Sequence, residues 1–158
     1  MKPGGWIELQ EMCGVPQCDD GTMQPDDGLA NFVDMIGQAL DAHDLDVNKC
    51  RAMRGPLRRA GFTNIQLVKK KSPLGGWHAD PALEYIGEYQ KQVVYDVLGP
   101  ITARPLEAIG INATERAVWA ATARKAMDDE SVHRYFWWYF WIAQKPVEAE
   151  GRKEDGRL

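Results

Sequence analysis

His78 and His133 can act as acid, base or hydrogen-bond donor, because imidazole changes charge near neutrality. Each can equally serve as a cap or a packing group, and the sequence leaves both roles open. Cys13, Cys18, Asp19 and Asp20 bring ligand atoms close together, but C-x4-C without a second pair falls short of a tetrahedral set. Asp19-Asp20-Gly21-Thr22 has the composition of a tight turn, so no metal is expected. Three cysteines, with Cys50 the third, lack the density of a disulfide scaffold and are expected to be free thiols. Arg51, Arg54, Arg58 and Arg59, with Lys69, Lys70 and Lys71, make a local basic cluster, read as a solvated helix face and strand end rather than a phosphate site. No Ser-His-Asp order, nucleophile elbow, HExxH or phosphate loop appears, which leaves hydrolase and kinase chemistry without support.

The bulk numbers bound what can hold these residues. With 158 residues and 44% hydrophobic content, one domain with a real core is expected. The 19 basic and 23 acidic residues give a net charge of −4, so neither nucleic acid nor an anionic membrane is an expected partner. No run of 18 apolar residues and no signal-peptide pattern appear, and a soluble, cytoplasmic protein is expected. Asn112-Ala113-Thr114 spells a glycosylation acceptor, yet Glu115 three positions on makes Asn112 the better N-cap of a capping box.

A Lys2-Pro3-Gly4-Gly5 turn leads into a first strand over residues 6–12, with Ile7 and Leu9 on one face and Trp6, Glu8 and Gln10 on the other. Leu29, Phe32, Val33, Ile36 and Leu40 recur at helical spacing through about residue 42. Residues 48–60 read as helical with a break near Gly55-Pro56, followed by the strand FTNIQLVKK. Asp80-Pro81 starts a helix whose buried face is set by Leu83, Ile86, Val93 and Val97, with Gly99-Pro100 ending it. A short helical piece and a helix from about 113 to 129 follow. YFWWYFW, residues 135–141, holds seven of the fifteen aromatics; as a strand it needs cover on both faces and is expected at the centre of the sheet. The α/β domain spans 1–146, and the charged tail 147–158 is expected to be disordered.

In order, KPGGWIELQE, CDDGT, AGFTNIQLVKK, PLGGW, EYIGEY and VHRYFWWYFWIAQKP resemble the C-terminal half of fungal LaeA-like class I methyltransferases, over roughly residues 1–146. The resemblance implies a truncated Rossmann-like fold of about three strands, the last antiparallel and central, with inserted helices. It also implies that the half holding S-adenosylmethionine is missing, since Gly4-Gly5 and Gly75-Gly76 are only turn pairs; no cofactor is expected.

What remains resembles the substrate side. The carboxyl ends of the first two strands meet the amino end of the last at an edge that collects Glu11, Met12 and Cys13, Lys71 through His78, and His133 with Tyr135. The helix from Asp80 is expected to roof it with Tyr85 and Tyr89, which share a face at i,i+4. The resulting expectation is a cofactor-independent enzyme of fungal secondary metabolism, a cyclase or Diels-Alderase acting on an apolar small molecule. His78, His133, Tyr85 and Tyr89 are the candidate donors and Glu11 or Glu8 the base, with Met12, Trp77, Tyr135 and Trp137 against the substrate. Holding a flexible chain in a reactive shape supplies up to roughly 7–11 kcal/mol of the barrier. A non-catalytic binding or regulatory module, and one half of a complemented methyltransferase, are the alternatives. The open edge of the first strand implies a homodimer.

Overall fold

A computed structural model describes residues 1–147. In chain order the elements are β1 (Trp6–Gln17), α1 (Gly28–Asp41), a 3-10 turn (Lys49–Ala52), α2 (Arg54–Arg59), β2 (Thr63–Pro73), α3 (Pro81–Ala108), α4 (Ala113–Asp128) and β3 (Tyr135–Gln144). The strands form one antiparallel sheet in the order β1-β3-β2, so the aromatic strand is central, as its two apolar faces require. On one face Tyr139, Trp141 and Ala143 pack with Cys50 and Leu57. On the other, Phe136 packs with Leu29 and Phe32 of α1, Leu98 of α3 and Met127 of α4. Asn112 and Glu115 close a capping box at the start of α4, through Asn112 Oδ1 at 3.0 Å from Glu115 N and Glu115 Oε2 at 2.9 Å from Asn112 N.

Three expectations need correction. β1 runs five residues past Met12, to Gln17, and a register irregularity between Cys13 and Gln17 lets it carry Gly14 and Pro16. Gly55 and Pro56 do not break a helix; they sit in the first turn of α2, where a proline gives up an N–H that has no helical partner anyway. Gly99-Pro100 does not end α3 either, which continues through Pro100 and Pro105 to Ala108. Packing against α1, α4 and β2 offsets the two missing donors, and Thr102 Oγ1 donates to the carbonyls of Leu98 at 2.8 Å and Gly99 at 3.0 Å.

The face of α3 also differs from expectation. Gly87, Gln90, Leu98, Thr102 and Leu106 are buried, whereas Ile86, Val93 and Val97 are 45%, 43% and 46% exposed. Backbone contact, not apolar spacing, sets this phase. Gly75, at φ +87, donates its N–H to the Gly87 carbonyl at 3.0 Å, and a Cβ on Gly87 would lie 2.1 Å from the Gly75 oxygen. The PLGGW loop and the EYIGEY helix thus dock glycine to glycine. Among the described residues no helix is long and apolar enough to cross a membrane. The disorder expected of the tail lies outside the described residues, apart from Val147.

Candidate functional site

β1 ends at Gln17, β2 ends at Pro73 and β3 begins at Tyr135, so three strand termini converge on one edge of the sheet. The Cys18–Thr22 turn folds over this edge because Asp20 Oδ1 accepts from Cys18 Sγ at 3.0 Å, Thr22 N at 3.1 Å and Thr22 Oγ1 at 2.8 Å. The other carboxylate oxygen of Asp20 lies 2.5 Å from His133 Nδ1, and the His133 backbone N–H donates to Thr22 Oγ1 at 2.9 Å. Hydrogen bonds from Cys18 and Thr22, and then from His133, hold the Asp20 carboxyl far below the usual carboxylate range. With Asp20 on Nδ1, the other ring nitrogen, Nε2, has no hydrogen-bond partner among the described residues. Trp77 stacks on the imidazole, with centroids 4.7 Å apart and planes 23° apart, and its Nε1 donates to the Arg134 carbonyl at 2.8 Å.

Beside this pair, Tyr135 Oη donates to Asp19 Oδ1 at 2.8 Å and Lys71 forms an ion pair with the same carboxylate. Lys71, and next Tyr135, lower the Asp19 pKa, while Asp19 raises that of Lys71. Burial, and next the Asp19 bond, push the Tyr135 phenol up. His78 accepts from Asp80 N at 3.0 Å through Nδ1, which leaves its Nε2–H as a donor, and its ring lies 5.3 Å from Trp77. Asp19, Lys71, Trp77, His78 and Tyr135 share a pocket of about 200 Å³ with Pro73 and Leu83.

Four of the residues proposed from sequence, Trp77, His78, His133 and Tyr135, therefore meet at the edge. The others do not. Tyr85 and Tyr89 are 72% and 67% exposed and line a separate groove between α3 and the sheet, not the edge pocket. Met12 lies under Gln90, whose Nε2 is 3.2 Å from its sulfur. Trp137 meets Tyr135 edge-on, with centroids 5.6 Å apart, but stays outside the edge pocket, under Lys69 Nζ at 4.1 Å from its ring centroid. Glu8 and Glu11 are exposed in mid-strand, opposite Ile142 and Tyr139, because β1 extends well beyond them. Asp19 and Asp20, which the sequence reading assigned to a turn, also lie at this edge; their signal was the DDGT turn directly after a strand's carboxyl end.

Arg134, also missed, holds the edge together from within. Its guanidinium donates to Asp27 Oδ2, with Nε at 2.9 Å, and to the carbonyl of Ala126 at 2.7 Å at the end of α4. Asp27 Oδ1 at the same time caps α1 through Leu29 N at 3.1 Å and Ala30 N at 2.9 Å. One buried pair thus fixes the start of β3, the start of α1 and the end of α4.

The remaining reactive groups serve the fold. Cys13, Cys18 and Cys50 are free, and Arg51 Nε donates to Cys13 Sγ at 3.1 Å on the face away from α3. Burial, and next the neighbouring Cys13, push the Cys50 thiol up to about 11. Arg54 donates to the Ile65 carbonyl at 2.9 Å and lies 5.9 Å from the Trp141 ring, so this part of the basic cluster braces β2 and β3. Among the described residues no group of three His, Cys, Asp or Glu side chains can hold a metal. The residues present do not fit S-adenosylmethionine either: among the described residues no G-x-G-x-x-G turn joins a strand to a helix, the β2–α3 loop carrying only the pair Gly75-Gly76, and α1, α3 and α4 each have their N-terminus closed by their own cap, Asp27, Asp80 and Asn112.

The relatives of this chain are fungal methyltransferases and regulators of secondary metabolism, matched over a partial region. It is 29% identical over 147 residues to Methyltransferase pytC of Aspergillus terreus, covering 92% of this chain and 45% of that protein. It is 29% identical over 152 residues to Secondary metabolism regulator LAE1 of Cochliobolus heterostrophus, covering 94% and 49%. Probable methyltransferase tdiE of Emericella nidulans is 25% identical over 151 residues, covering 93% and 47%. The chain thus spans about half the length of the curated relatives it matches, and its three-stranded sheet with helices is compatible with a methyltransferase fragment. No family model and no solved structure matches it.

Proposed function

We propose that this chain holds an apolar small molecule of fungal secondary metabolism against the His133–Asp20 pair and carries out cofactor-independent proton transfer of the kind that starts or steers a cyclisation. The observation that carries this reading is the Nδ1 contact with Asp20 at 2.5 Å, which leaves Nε2 free as the base beside the stacked Trp77. In the step, Nε2 removes an acidic C–H proton, the electron pair of that bond passes into an enolate, and the His78 Nε2–H donates to the developing oxygen. The imidazolium then returns a proton to carbon or oxygen of the product. A second reading, the substrate-side half of a methyltransferase, is favoured by the match to about half of proteins named as methyltransferases. The cofactor's residues would then lie outside this sequence.

A simple probe tests the first reading. Exchange of the acidic C–H of benzoylacetone for deuterium in D2O is expected to be faster with the folded chain, and His133→Gln is expected to lose roughly 100-fold or more of that acceleration. Equal exchange by wild type and His133→Gln would sink it.

A further inference from the structure

α3 and the sheet flank an open groove of about 860 Å³, within the roughly 300–1,000 Å³ span of small-molecule sites. Its helical wall carries Tyr85 and Tyr89 one turn apart, 72% and 67% exposed, and its strand wall carries Trp138 and Phe140, stacked with centroids 6.5 Å apart and planes 28° apart. Aromatic side chains on both walls give a flat ring system apolar and π surface to lie against. The floor is Gln90, buried and held by Trp138 Nε1 at 3.1 Å and Ser72 Oγ at 3.4 Å on its carbonyl oxygen. Because that amide is already engaged, the body of a ligand over it needs no polar group.

Charge at the rim selects the rest of the ligand. β2 alternates, so Lys69 and Lys71 cover Trp137 and Tyr135 on one face while Lys70, opposite Trp138, faces the groove. Lys70 has no ion pair among the described residues, and no carboxylate lines the groove. Lys71 and Leu83 line both this groove and the edge pocket, which makes the two spaces neighbours.

From this geometry we infer that the groove binds a planar aromatic acid, its rings between the two tyrosines and the Trp138–Phe140 pair and its anionic group on Lys70. The inference rests on the proposed function and narrows its apolar substrate to an aromatic body that carries one anionic group.

Anthracene-2-carboxylic acid and the neutral anthracene-2-methanol, titrated by fluorescence with light scattering on the same samples, test it. Lys70 and Tyr89 are both exposed, so Lys70→Gln and Tyr89→Ala leave the core intact. The acid is expected to bind about fivefold more tightly than the alcohol, as a rim charge pair allows. Lys70→Gln is expected to abolish that preference, and Tyr89→Ala to weaken both ligands by about tenfold. Equal binding of the two ligands by the wild type, or a preference that survives in Lys70→Gln, overturns the inference. So does a dimer that excludes both ligands and dissolves in Tyr89→Ala, which would make a second copy the occupant. Benzoylacetone exchange separates the two failures. Loss of the groove preference with His133-dependent exchange intact overturns the aromatic acid alone, whereas a preserved preference without such exchange overturns only the acid–base function.

Discussion

Asp20 and Arg134 shape the sheet edge, one by holding the His133 imidazole and the other by holding three element ends together. The Asp20 carboxyl is kept ionised by the turn and by His133, so its folded pKa lies below its unfolded value. A group of that sign stabilises the fold above its unfolded pKa of about 3.9 and loses the contribution as pH falls further. Denaturant titrations between pH 6 and pH 2.5 are therefore expected to show a stability that declines on acidification, less steeply in Asp20→Asn; an unchanged slope would separate the turn from the fold. Arg134 and Asp27 are both buried, and removing one partner strands the other charge. Arg134→Ala is expected to cost about 3–5 kcal/mol, read as a shift in the denaturant midpoint. A loss below about 1 kcal/mol would mean that the pair is exposed in solution. His133 was legible in the sequence as an acid–base candidate because its chemistry is intrinsic to its ring. Its partner was not, because an aspartate in a DDGT turn looks the same whether or not a histidine more than a hundred residues away comes to meet it.

At the scale of elements, α3 shows where sequence periodicity is overruled. Its apolar residues Ile86, Val93 and Val97 suggested a buried face, yet the burial falls on Gly87 and Gln90, which carry no apolar signal. The deciding contact is between backbones distant in sequence, and such a contact leaves only a glycine as its trace. Gly87→Ala sets two effects against each other. Alanine gains about 1 kcal/mol of helix propensity, while a Cβ only 2.1 Å from the Gly75 oxygen forces the loop and helix apart. Overpacking costs about 1–3 kcal/mol or more, so thermal melting is expected to show net destabilisation; a rise in Tm would show that the loop yields freely. The aromatic strand and the capping box were legible for the opposite reason: a run apolar on both faces admits only a central position, and Asn112 with Glu115 forms its bonds within one turn.

For the whole molecule, β1 pairs only with β3 among the described residues, so a 12-residue strand presents a free edge. Such an edge favours pairing with another copy, and light scattering of the purified chain is expected to report a dimer that persists in Tyr89→Ala. A monomer at all concentrations would contradict that. The site follows from the same topology, because antiparallel order brings the ends of β1 and β2 to the start of β3 and leaves α3 standing over a groove. The central claim, that these residues form a site for a largely apolar, aromatic substrate with one anionic group and not for the cofactor of the named relatives, is tested most directly by calorimetry. The folded chain is titrated with S-adenosylmethionine and, in parallel, with anthracene-2-carboxylic acid. Heat of binding for the acid and none for S-adenosylmethionine is the predicted result; saturable binding of S-adenosylmethionine, or no heat from the acid, would contradict it.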